Sequence, residues 1–63
     1  MNMMRRAAVQ KLLNGEWKSA HALLPTQEPT LQKMVALGWL DRREQDGVEY
    51  RLTEAGLAAF RDF

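Results

Sequence analysis

The stretch GWLDRREQDGVEYRLTEAG, Gly38 to Gly56, decides the fold. Charged residues crowd it, yet Leu40, Val48, Tyr50 and Leu52 fall where one face of a half-buried hairpin needs them. Two extended runs, WLDRRE and VEYRL, flank QDG, which is a hairpin signal. Charge then selects the register. A two-residue Asp46-Gly47 turn would set Arg42 against Arg51 and Glu44 against Glu49, and like charges directly opposite destabilise a ladder. A three-residue loop, Gln45-Asp46-Gly47, sets Asp41 against Arg51, Arg43 against Glu49 and Leu40 against Leu52. Gly47 then takes the left-handed position that closes such a loop. In this register one face carries Leu40, Arg42, Glu44, Val48, Tyr50 and Leu52, and the other carries the paired charges. Arg42 shares a face with Tyr50 and is placed to stack on it.

Upstream, Met4, Ala8, Val9, Leu12 and Leu13 recur at helical spacing, which predicts a first helix over 3–14 ended by Asn14-Gly15. Trp17 and Lys18 read as extended, with Trp17 beside the sheet. Ser19 is a good N-cap for a short helix over 20–24 that Pro25 stops. A third helix is expected over 27–37, with Thr26 as its N-cap, Leu31, Met34 and Val35 on one face, and Gly38 as its stop. Pro29 is tolerated there because it falls in the first turn. Trp39 lies at the junction between this helix and the hairpin. Thr53 caps a last helix, EAGLAAFRDF, which buries Leu57 and Phe60 and in which Gly56 costs ~1 kcal/mol relative to alanine.

With 63 residues the chain makes one domain, 1–63, of class α+β. A chain this short buries only ~60% of its unfolded surface, so Trp17, Trp39, Phe60 and Phe63 are large for its core. The 46% hydrophobic and 27% charged content suits a globular domain. There is no cysteine, hence no disulfide and no thiolate metal site. No apolar run approaches the ~18 residues of a membrane span, and MNMMRRAAVQKLL reads poorly as a secretion signal. The expectation is a cytoplasmic protein without a membrane partner. His21 stands without a second histidine or a carboxylate cluster, Ser19 has no base at a recognisable spacing, and no glycine-rich phosphate loop occurs. The chain therefore reads as a non-enzyme with no cofactor and no metal.

The order helix, short strand, helix, helix, hairpin, helix is that of a winged helix-turn-helix. LQKMVALGWLDRR followed by YRLTEAG resembles the end of the recognition helix and the wing of MarR-like and PadR-like transcription regulators. Leu31, Met34, Gly38 and Trp39 match the first part of that pattern, and Tyr50, Leu52, Thr53 and Gly56 match the second. The segment LLPTQEPTL, between the second helix and the recognition helix, is shorter than in those families. The resemblance implies three helices, a two-stranded wing and a short C-terminal helix. It also implies double-stranded DNA as the partner, with the 27–37 helix in the major groove and the 40–52 wing on the backbone.

On that layout, Gln32 and Lys33 face the bases. Thr26 and Thr30, with the helix N-terminus, face phosphate. Arg42 and Arg43 are the wing cations. Arg5 and Arg6, with Lys11 and Lys18, form a basic cluster without nearby acids. Each group has a plain alternative: a solvated helix face for Gln32 and Lys33, and a self-neutralised hairpin for the wing. The net charge of +1 and the acidic tip, Gln45-Asp46-Gly47, point toward a second reading, a winged-helix module that contacts a protein. Dimerisation with a second copy is a further expectation, through the amphipathic LAAFRDF end.

Overall fold

The computed structural model describes residues 1–62, so Phe63, and with it any share it has in a C-terminal pairing surface, lies outside the described residues. Three helices, α1 (Met3–Lys11), α2 (Glu28–Ala36) and α3 (Glu54–Arg61), pack on an antiparallel sheet of β1 (Lys18–Ser19), β2 (Leu40–Glu44) and β3 (Val48–Leu52). The strand order is β1-β3-β2. The two-stranded hairpin is therefore joined by the short strand expected near Lys18, and the three form one sheet. A two-residue strand carries no readable period, and only the partner strand, pairing Lys18 with Tyr50 and Ser19 with Glu49, defines it.

The β2–β3 register is the one that charge selects: Leu40 opposite Leu52, Asp41 opposite Arg51, Arg43 opposite Glu49. The loop of Gln45, Asp46 and Gly47 is left-handed at its end, with φ of 51° at Asp46 and 113° at Gly47. Leu40 and Tyr50 turn inward and complete a core with Ala8, Val9 and Leu12 of α1, Leu23, and Leu31 and Met34 of α2.

Helix boundaries differ modestly from the sequence reading. α1 stops at Lys11 because the chain tightens into turns, with Leu12 N–H donating to Val9 O (2.9 Å) and Gly15 N–H to Leu12 O (3.1 Å). Its N-cap is Asn2, whose side chain accepts from Arg5 N–H at 2.9 Å. The expected second helix is a single 3-10 turn, His21–Leu23, in which Ser19 Oγ accepts from Ala22 N–H (3.2 Å).

Thr26 requires a larger correction. It does not cap α2, which starts after Gln27 without a side-chain cap. Instead Thr26 is fully buried and its hydroxyl donates to Met4 O (2.9 Å), tying the loop to the start of α1. α2 ends as expected at Gly38 (φ 81°), where Gly38 N–H donates to Val35 O and Trp39 N–H to Met34 O, both 2.9 Å, a Schellman closure.

The junction between α3 and the Gly38-Trp39 corner is a close contact. Thr53 Oγ1 donates to Gly38 O (2.6 Å) and accepts from Gly56 N–H (3.0 Å), while Thr53 N–H donates to Trp39 O (3.1 Å). Gly56 is buried in this seam. A methyl group there would collide with the Trp39 carbonyl oxygen and sit 2.7 Å from Leu52 Cδ1. The residue that weakens α3 by propensity is thus the one that lets α3 dock.

Gly56→Ala sets overpacking of ~1–3 kcal/mol against a propensity gain of ~1 kcal/mol. We expect a net loss of about 1–2 kcal/mol, lowering the melting temperature by roughly 5–15 °C in a domain of this size. Thermal unfolding followed by circular dichroism measures it; a melting temperature equal to or above that of the wild type would show that the close approach is not needed.

Candidate nucleic-acid interface

α2 buries Leu31 and Met34 and leaves Glu28, Pro29, Gln32, Lys33 and Ala36 exposed on the opposite side. The exposed ridge is what 3.6-residue periodicity dictates once Leu31 and Met34 anchor the core. Gln32 and Lys33 are side by side and open to solvent. Among the described residues Lys33 makes no ion pair, ring contact or side-chain hydrogen bond. Its place in the last turn of α2 suits the negative end of the helix. Thr30 is half-buried in the first turn, beside Glu28, whose carboxylate already complements the positive end of the helix. Thr26, fully buried, does not reach a phosphate.

The arginines are engaged elsewhere. Arg5 lies over the Trp39 ring with its guanidinium carbon 5.7 Å from the centroid, and Arg6 lies over Phe60 at 4.4 Å while Nη1 donates to Phe60 O (3.2 Å). The expected free cluster is therefore partly structural. Lys18 pairs with Glu16 at 3.8 Å, and Lys11 Nζ donates to Leu24 O. In the hairpin, Arg43 holds Glu49 (2.8 Å), Arg51 holds Asp41 (3.1 Å) and Arg42 is near Glu44 (3.8 Å). The expected Arg42–Tyr50 stack does not form, because Tyr50 is fully buried while Arg42 stays in solvent.

The sheet's outer face carries a feature that sequence reasoning missed. Arg43 and Arg51 both lie over the indole of Trp17, at 4.4 and 4.7 Å from the ring centroid. The pairing of Lys18 with Tyr50 puts Trp17 next in line beside Arg51, so the signal was the register of β1, which a two-residue strand does not reveal. This face is a mosaic of one aromatic, two cations and two carboxylates, each charge satisfied within the chain.

The described residues enclose no cavity of ligand size, and none of their His, Asp and Glu side chains gather in groups of three or more that could hold a metal. No helix among them is long and apolar enough to cross a membrane. Comparison with protein-family models, with curated proteins and with solved structures found no match to the chain.

A cation over an exposed aromatic contributes ~0.5–1 kcal/mol. A double-mutant cycle of Trp17→Ala and Arg51→Ala should therefore give a coupling of about that size in urea unfolding. A coupling indistinguishable from zero would mean that the stack is incidental.

Proposed function

We propose that this chain is a small winged-helix protein that binds double-stranded DNA, as a cytoplasmic transcription regulator would. The observation that carries this reading is the exposed ridge of α2, where Gln32 and Lys33 stand open to solvent on a helix whose flanking residues Thr26 and Gly38 are hydrogen-bonded to the rest of the fold. A helix of this width fits the major groove, where glutamine pairs with adenine and lysine with guanine or a phosphate. In this reading the 40–52 hairpin flanks the groove beside the phosphate backbone. Arg42 and Arg43 must exchange Glu44 and Glu49 for phosphate, a modest penalty for exposed pairs, which hold by ~0–1 kcal/mol. Arg5 and Arg6, stacked on Trp39 and Phe60, support the helix packing more than the contact with DNA.

A second reading, a module that contacts a protein, draws on one specific observation. The outer sheet face combines Trp17 with Arg43 and Arg51, the residue types that anchor protein interfaces, with their charges neutralised in place.

Fluorescence anisotropy with random duplex DNA across a salt series distinguishes the two. A DNA binder loses affinity with a slope near −0.9 per phosphate neutralised. Lys33→Ala should lower that slope by about 1, and Arg43→Ala by less. Absence of binding even at low salt would eliminate the DNA reading.

A further inference from the structure

We propose that the free edge of β2 is a self-association surface, on which a second copy of this chain adds its own β2 antiparallel to the first. β2 is the outer strand of the sheet, with β3 on one side and no strand on the other among the described residues. Its hydrogen-bonding directions can be deduced. Thr53 N–H donates to Trp39 O, so the residues at 39 and 53 turn their backbone groups toward each other. Antiparallel pairs alternate, so Asp41 and Arg43 turn theirs toward β3, while Leu40, Arg42 and Glu44 turn theirs to the open edge. Leu40 is only 2% exposed and is covered at that end. The groups left available are the N–H and C=O of Arg42 and Glu44, both on exposed residues.

A charged edge strand ordinarily repels a neighbour, and that is how many sheets avoid fusing. Here one register pairs every free backbone group and sets opposite charges against each other at both Arg42 and Glu44. If the two-fold axis passes through Arg42, Asp41 faces Arg43, but Arg42 meets Arg42 of the second copy in a hydrogen-bonded position, and the covered Leu40 would have to receive Glu44. If it passes through Asp41, two carboxylates meet. If it passes through Arg43, each Arg42 lies directly opposite a Glu44 of the second copy, in the hydrogen-bonded positions, and every available N–H and C=O is paired. Asp41 then faces the neutral Gln45. The central Arg43 pair is shielded, because each Arg43 leans over the sheet onto Trp17 and holds its own Glu49 at 2.8 Å. The Arg42–Glu44 contact within one strand is loose, 3.8 Å, with 41% and 70% of the side chains exposed, so both are free to regroup across the axis. The even-numbered positions stay on one side, so the two sheets join into one with all helices on the same side. This surface replaces α3, where Phe60 is occupied by Arg6, as the place where copies meet. It stands whether or not α2 reads DNA.

The test is analytical ultracentrifugation of the full chain over a concentration series. Wild type should show a reversible monomer–dimer equilibrium. Arg42→Glu alone places Glu opposite Glu, and Glu44→Arg alone places Arg opposite Arg; each should weaken association by roughly tenfold or more, with an unchanged circular dichroism spectrum. Mixed in equal amounts, these two variants become complementary at both contacts and should form a mixed dimer. A wild type that stays monomeric into the millimolar range, a dimer that survives either substitution, or a mixture that fails to associate would each overturn the proposal.

Discussion

Thr53 ties the Gly38-Trp39 corner to the start of α3 with a single side chain and its own backbone. Its hydroxyl donates to Gly38 O and accepts from Gly56 N–H, and its amide donates to Trp39 O. The consequence is geometric. α2 ends at Gly38, β2 begins at Leu40, β3 ends at Leu52 and α3 begins at Glu54, so all four meet at this corner. The hydrogen bonds require α3 to approach the Trp39 carbonyl so closely that only glycine fits at position 56. With the corner closed, the direction of α2 is fixed relative to the sheet, and with it the outward aim of Gln32 and Lys33.

The same small core explains where the arginines go. In a chain of 63 residues the aromatic side chains cannot all be enclosed by aliphatic neighbours. Three of them are covered by guanidinium groups instead: Trp39 by Arg5, Phe60 by Arg6, Trp17 by Arg43 and Arg51. Planar guanidinium groups stack well and keep their edges hydrated, so they serve as partial lids for exposed rings. Their positive charge is consequently less available for phosphate than the sequence suggests. The α2 ridge, by contrast, has none of the described residues packed over Gln32 and Lys33, which is why the DNA reading rests there and not on the wing.

Much of this was legible from the sequence, for identifiable reasons. The hairpin register was readable because both alternatives could be scored by opposing charges, and Gly47 marked the loop. The α2 core face and its Gly38 stop followed from periodicity and the left-handed tolerance of glycine. Other features depend on partners remote in the chain. Thr26 has the chemistry of a cap, but burial against Met4 O decides its role. Arg5 and Arg6 looked like a free cluster because Trp39 and Phe60 lie far away in sequence. Gly56 looked like a local weakness because the carbonyl that excludes a methyl group belongs to another segment. β1 was expected as a short extended piece with Trp17 beside the sheet, but two residues carry no readable register, and the Trp17 stack was hidden with it.

On the proposed reading, α2, held by the Thr53 corner, presents the surface that would meet DNA. Backbone amide chemical-shift mapping during titration with duplex DNA at low salt tests it most directly. The account predicts perturbations concentrated from Thr30 to Ala36, with little change at the acidic tip, Gln45 to Gly47. Perturbations centred on Trp17 and the outer sheet face, or none at all, would contradict it.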